Sequence, residues 1–316
     1  MVDFTNEFEL LAEAYAVSGG NPLDLRNEQY GLMLVAGNHI LGKNEIPGLR
    51  IESELFPDGV KARITVAANT KIEKPVHLCF GVIPAEGIQR ILADFFIEEN
   101  AKVSFLAHCT FPNAVKIQHI MEGTIQVGKN SQMEYNETHF HGPRGGVEVL
   151  PKMKINVERG GQYSSTFRLI KGAAGVVRLD YEAYLSDESV AELYAKIFGK
   201  YKDDIQVKES IYLNGTESRG LVKSRIILAD EARAEVLGEV IGKGVNSRGH
   251  IDCMEIVQGK KAKASAVPRL QVVEESSKLT HEAAIGSVDK RQVETLMARG
   301  LSEQEAVDVI VRGLLK

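Results

Sequence analysis

One short phrase recurs along this chain and limits what it can fold into. A polar turn comes first, then a small residue, then a strand alternating polar and apolar side chains. The phrase reads EENAKVSF from Glu98, GKNSQMEY from Gly128, ERGGQYSS from Glu158, SDESVAEL from Ser186, ADEARAEV from Ala229 and QGKKAKAS from Gln258. Aligned on Ala101, Ser131, Gly161, Ser189, Ala232 and Ala262, the copies lie 30, 30, 28, 43 and 30 residues apart, a loose period near thirty with one insertion. Self-similarity at a fixed period is the mark of a solenoid, in which each unit buries its apolar face only against its neighbours. The unit consists of strands, so the natural architecture is a β-helix. An antiparallel sandwich with evenly spaced turns is the alternative.

Composition narrows the function classes. With 316 residues, 44% of them hydrophobic, the chain can build one large core. A formal net charge of -5 argues against nucleic acid as the main partner. The acidic start MVDFTNEFEL lacks a basic-then-apolar leader pattern, and no apolar run approaches the length that spans a bilayer. These features predict a cytoplasmic protein with no membrane partner. Three cysteines, Cys79, Cys109 and Cys253, form no disulfide framework and should be thiols in a reducing compartment.

Three regions follow from the change of period. Residues 1–49 form a helical or mixed segment. Within it, Asn6 and Glu9 suggest a capping box, Phe4, Phe8, Leu11 and Tyr15 share one helix face, and Gly19–Gly20 ends the helix. Tyr30 to Leu41 is ambiguous between helix and strand. Residues 50–279 read as strand after turn, with Glu192–Lys200 the doubtful stretch. Residues 280–316 return to helical period. Asp289 and the Ser302/Glu305 pair supply caps, Gly300 a stop, and Val307, Ile310 and Leu314 an apolar stripe. The resulting αα-hairpin could cover the solenoid's open end or dock a partner.

The run HEAAIGSVDKRQVETLMARGLSEQEAVDVIVRGLL, from His281, resembles the end of SufB and SufD, the β-helical scaffold proteins of the Suf iron–sulfur cluster assembly system. Upstream, SRGLVKSRIILADEARAEVLGEVIG and NSRGHIDCMEIVQGKKAKASAVPRLQV are similar to that family's core. HCTFPNAVKIQHIMEGTIQVGKNSQMEY resembles the SufB segment with a Cys-Thr-x-Pro motif, and KIEKPVHLCFGV resembles its entry strand. The likeness runs from Lys71 to Lys316, as a compact form of the SufB/SufD core. It implies a mainly β fold, a right-handed parallel β-helix with a short N-terminal helical segment and a C-terminal αα-hairpin. It also implies docking of a SufC-like ABC-type ATPase through the C-terminal helices, a homodimer or a SufB/SufD-like heterodimer, and a transient iron–sulfur cluster.

The same resemblance assigns candidate residues. Cys109 matches the SufB cysteine thought to receive sulfur; its thiolate would be both a nucleophile and a soft ligand for iron. The alternative is a buried, inert thiol. His119 stands at the place of a SufB histidine and would be an iron ligand. His281 and Glu282 match a motif placed near the SufB–SufD interface, where imidazole plus carboxylate suits Fe(II). Cys253, between Ile251 and Glu255 on one strand face, falls where SufB-like chains can carry cysteine. Ala262 stands where SufB usually carries another, so a SufD-like structural subunit that holds no cluster is the alternative function. Apart from the resemblance, His139 and His141 share one face of a strand and could grip a metal, although Gly142–Pro143 next to them favours a solvated loop. Cys79 reads as core. The chain carries no G-x-x-x-x-G-K-[ST] motif, so it should bind no nucleotide and ATP hydrolysis falls to a partner. A β-helix polysaccharide-active enzyme is a more distant reading, disfavoured by the lack of a paired-carboxylate motif and of Trp.

Overall fold

The computed structural model describes residues 5–142 and 145–315; Phe4, Pro143 and Lys316, named above, lie outside them. Helix α1 (Thr5–Ser18) is followed by a 3-10 turn at Pro22–Arg26. Five shorter strands come next: β1 (Leu32–Ala36), β2 (His39–Asn44), β3 (Leu49–Phe56), β4 (Gly59–Val66) and β5 (Val76–Gly81). The longer strands are β6 (Glu86–Ile97), β7 (Lys102–Phe111), β8 (Lys116–Val127), β9 (Gln132–His141), β10 (Val147–Val157), β11 (Gln162–Lys171) and β12 (Val176–Leu185). They continue as β13 (Val190–Gly199), β14 (Asp204–Leu213), β15 (Arg219–Leu228), β16 (Arg233–Gly242), β17 (Arg248–Val257), β18 (Lys263–Val272) and β19 (Lys278–Gly286). Helices α2 (Lys290–Met297) and α3 (Glu303–Leu314) follow.

From β4 onward each strand pairs in parallel with the strand two places further along the chain. The result is a parallel β-helix of about eight turns, built from two sheets. One sheet runs β19-β17-β15-β13-β11-β9-β7-β5-β1-β2 and the other β18-β16-β14-β12-β10-β8-β6-β4-β3. The hairpins β1–β2 and β3–β4 are antiparallel, and their strands β2 and β3 end the two sheets on the N-terminal side. Segment 30–41, ambiguous in sequence, is thus mostly strand. The doubtful stretch Glu192–Lys200 lies almost wholly in β13, because Ala191, Leu193, Ala195 and Ile197 alternate inward and stack on their register partners. The inner rows of both sheets meet in one continuous core.

The 43-residue gap between repeats is not an insertion. Ala101, Ser131, Gly161 and Ser189 precede β7, β9, β11 and β13, and that corner continues with Ser218 and Ser247 before β15 and β17. Ala232 and Ala262 precede β16 and β18, at the other corner. The same turn-plus-small-residue phrase serves both corners, so Ser189 to Ala232 spans one and a half turns of an uninterrupted coil.

At the first corner Asn100 and Asn130 hold left-handed φ of 55°, which lets the chain turn sharply. Asn130 Nδ2 donates to Asn100 Oδ1 at 3.5 Å, and Asn100 Nδ2 to Asn69 Oδ1 at 3.1 Å. Asn100→Ala is expected to lose about 1–2 kcal/mol from the left-handed backbone. Asn100→Gly, which removes only the side-chain ladder, should lose less; urea unfolding of the two variants would check the order.

Helix α1 lies on the outside of the first sheet. Leu11 and Tyr15 bury against Leu34 and Cys79, so Cys79 is core as expected, in the layer beneath α1. Asn6 lies inside the helix rather than capping it, and Glu9 pairs with Arg26 across to the 3-10 turn. Gly19 (φ 108°) ends the helix as expected. At the other terminus Asp289 caps α2, and Ser302 with Glu305 forms the expected capping box of α3. Ala306 and Val311 of α3 and Leu315 at its C-cap are buried, and the expected Val307 and Leu314 pack half-buried beside them, so the stripe departs from the expected one in taking Val311 rather than Ile310. It packs on Ile227 and Ile256, on the outer face of the first sheet. The hairpin therefore flanks the β-helix rather than covering its end, and the last rung is open: Val272 and Ile285 are 53% and 52% exposed. No helix among the described residues is long and apolar enough to cross a membrane.

Candidate functional site

Two groups of chemically capable side chains project from the inner rows. The first is deep in the β-helix. Period two turns Cys109 of β7 inward, and Glu137, His139 and His141 of β9 inward beside it, with Cys109 in register with His139. His119 enters from β8, in the facing sheet. All five are 1% exposed or less. Cys109 Sγ lies 3.9 Å from Glu137 Oε1, and His139 Nε2 lies 2.5 Å from the same oxygen. The donor atoms of Cys109, Glu137 and His139 fall within 4.8 Å of one another. Tyr181 Oη donates to Glu137 Oε2 at 3.1 Å, and His141 bridges His139 Nδ1 (3.5 Å) to the carbonyl of Ala173 (2.9 Å). Neither ring nitrogen of His119 has a hydrogen-bond partner, and its ring centroid is 5.8 Å from that of His139. Phe111 and Phe167 wall the chamber.

Burial sets the electrostatics. It pushes the Cys109 thiol well above its ordinary pKa, and the Glu137 charge pushes further the same way. It holds His119 well below the usual imidazole range and takes His141 down to about 3, with His139 adding to both. With nothing else in the chamber, Cys109 is a thiol and these two imidazoles are neutral bases.

This corrects the expectation for His139 and His141. They end a buried strand and face the core, not a solvated loop, because the stacking partners Cys109 and Leu169 fix their side of the sheet. Glu137 was not among the sequence candidates. The signal was available, since it stands two residues before His139 and shares its face, but carboxylates ordinarily point to water.

The second group is near the open end. Ile251, Cys253 and Glu255 all face inward on β17, as their alternation suggested. Ser224 Oγ donates to Glu255 Oε1 at 3.1 Å, and burial pushes Cys253 up to about 11. Glu209 of β14 is fully buried, and neither carboxylate oxygen has a hydrogen-bond partner. His281 and Glu282 are exposed on the terminal strand β19. His281 is in register with Ile251 and so belongs to the inward row, while Glu282 pairs with Asp252 in the outward row.

Cys253 and His281 are thus neighbours, with Cα atoms about 8 Å apart from one strand spacing and two residue rises. Cys109 is five strand steps from Cys253 along the sheet, about 24 Å, so the two cysteines do not share a site within one chain. Cys109 and His119 are together, Cys253 and His281 are together, and Glu282 lies on the other side of the terminal strand. Ala262 is a buried corner residue before β18.

Comparison with known proteins gives the chain a family. Residues 91–314 match the family model described as SUF system FeS cluster assembly, SufBD core domain. An iron–sulfur cluster assembly SufBD family protein of Pyrococcus horikoshii is 38% identical over 314 residues, covering 99% of this chain and 95% of the relative. One from Methanocaldococcus jannaschii is 34% identical over 305 residues, covering 96% of each. A third, from Archaeoglobus fulgidus, is 28% identical over 246 residues, 78% of this chain and 65% of its own length.

Proposed function

The chain belongs to the SufBD family of iron–sulfur cluster assembly proteins, and from that premise we propose that it is a cytoplasmic scaffold subunit working with a SufC-like ATPase. The observation that carries this reading is the extent of the family match. Residues 91–314 take in both groups of donors and the C-terminal helices together.

In this reading the cluster is cargo, assembled at the open end. The last rung leaves the edges of β18 and β19 and part of the inward row uncovered, and an exposed edge of this kind is a template for pairing. Two copies meeting end to end would bury it and bring two sets of Cys253, His281 and Glu282 to one seam. Cys109 and His119 supply a second, interior station, a sulfur acceptor or iron ligand beside an imidazole. The ATPase docks on the flanking α2–α3 hairpin, whose Met297 and Val309 are 43% and 49% exposed. Nucleotide-driven closure of two ATPases would then shift the two scaffolds at their seam, provided the seam contacts differ between the two states.

The test is anaerobic reconstitution with Fe(II) and sulfide, followed by visible absorption and iron count, with the ATPase present. His281→Ala is expected to lower cluster yield at least tenfold, in line with the loss of a ligand. Its stability should change by no more than about 0.5 kcal/mol, because the side chain is exposed. In parallel, Met297→Asp with Val309→Asp should abolish capture of the ATPase while keeping Val311 and Leu315 in place. The absence of any chromophore in the wild type would favour a structural subunit that holds no cluster, the reading that Ala262 supports. Undiminished ATPase capture by the double variant would remove the docking assignment.

A further inference from the structure

We infer that the chamber around Cys109, Glu137 and His139 is a binding site for a single thiophilic divalent metal ion, with His119 as the fourth ligand. Four features converge. The first three residues gather a sulfur, an oxygen and a nitrogen donor within 4.8 Å. His119, from the opposite sheet, is buried with both ring nitrogens unpartnered, which is costly for a polar group unless something binds it. A Cys–Glu–His–His set suits a tetrahedral first-row ion such as Fe(II) or Zn(II), and Co(II) as its probe.

The fourth feature is the tautomer chain. The Ala173 carbonyl can only accept, so His141 Nδ1 donates to it and His141 Nε2 is left as an acceptor. His139 Nδ1 then donates to His141. That leaves His139 Nε2 with a bare lone pair aimed at a carboxylate oxygen 2.5 Å away. Two lone pairs at that distance need a positive charge between them, either a proton or a metal ion. This is the arrangement in which a ligating histidine donates its other N–H to a supporting group. Tyr181 holds the second oxygen of Glu137 in the same way.

Bonds of about 2.0–2.3 Å to one tetrahedral ion place donors about 3.3–3.6 Å apart. The Cys109–Glu137 separation of 3.9 Å is close to this, the Glu137–His139 contact would open by about 1 Å, and His119, outside the group of three, would close toward it. Binding would release the thiol proton of Cys109 to solvent as the thiol becomes a metal-bound thiolate. An open groove lies next to the site, since Ala173, whose carbonyl holds His141, also lines it with Ile117, Gly146 and Gly175. Deepening the assembly function proposed above, such an ion would keep a thiolate in the interior that burial alone suppresses.

The test uses the full chain, stripped of metal and titrated anaerobically with Co(II), without sulfide or ATPase. The expected result is one Co(II) per chain and a thiolate-to-cobalt charge-transfer band. Cys109→Ser should abolish the band, and Glu137→Gln or His119→Gln should weaken binding at least tenfold with the circular dichroism spectrum unchanged. Cys253→Ala and His281→Ala should leave the titration intact. No thiolate band in the wild type, a band that survives Cys109→Ser, or one lost in Cys253→Ala would each overturn the assignment. Because cluster yield at the open end is read separately, either site can fail without the other.

Discussion

Phe95→Ala is expected to cost about 3–5 kcal/mol, the range for removing a large aromatic from a core that cannot collapse around the gap. Phe95 is fully buried and meets Phe105 and Tyr135 edge-on, with ring centroids 5.3 and 5.8 Å away. Those two aromatic contacts are worth about 0.5–1.5 kcal/mol each beyond the area they bury. The rungs above and below are held apart by backbone hydrogen bonds of the parallel ladder, so neighbours cannot sink into the hole. In a solenoid the penalty also stays local. Stability is close to a sum over rungs and their interfaces, so weakening one interior rung uncouples the turns before it from those after it. Urea unfolding followed by circular dichroism should therefore change from one transition to two, the earlier one carrying the N-terminal turns. A single transition displaced by less than about 1 kcal/mol would show that the core repacks.

The second large effect is a pH dependence. Glu209 is buried without a hydrogen-bond partner, and burial alone raises its pKa from 4.5 to about 8. Below about 4.5 the carboxyl is protonated in both folded and unfolded chains, and its contribution to stability is fully present. Between 4.5 and 8 the unfolded chain gives up the proton while the folded one keeps it, so stability falls as pH rises and levels off above 8. The integrated loss is on the order of a few kcal/mol. Glu209→Met keeps the volume and removes the proton. It should be the more stable protein at pH 8 and nearly equal at pH 4.5. Glu255, pushed up to about 7 by burial, adds to the same slope, so the informative quantity is the difference between wild type and variant across pH. A difference that does not grow with pH would mean that Glu209 is ionised in the folded protein.

Most of the architecture is legible in the sequence because a β-helix is written locally. Each strand carries its own period-two pattern, and each corner its own turn and small residue. What the local pattern cannot say is which corner a copy belongs to, which is why Ser189 and Ala232 read as successive repeats with an insertion. The candidate site divides along the same line. Cys109 and His119, Cys253 and His281 were marked by resemblance, and Ile251–Cys253–Glu255 by alternation. His139 and His141 were misplaced because Gly142 and the proline after it are strong turn signals, whereas the strand neighbours that pull both rings inward lie some thirty residues away. Glu137 and Glu209 were hidden by composition: a carboxylate on a strand ordinarily marks the wet face, and only the stacking register puts these two inside.

The parallel stack also makes this molecule a ruler with fixed divisions. Six strand steps separate β7, which carries Cys109, from β19, which carries His281, a span of about 29 Å at one strand spacing per step. A turn consumes 29 residues where Arg219 stacks on Arg248. Gain or loss of such a unit would move the interior chamber and the rim apart or together by one division, about 4.8 Å, and would alter neither of them. Distance between the two chemistries is therefore a countable property of the chain, adjustable in whole turns without redesigning a single ligand.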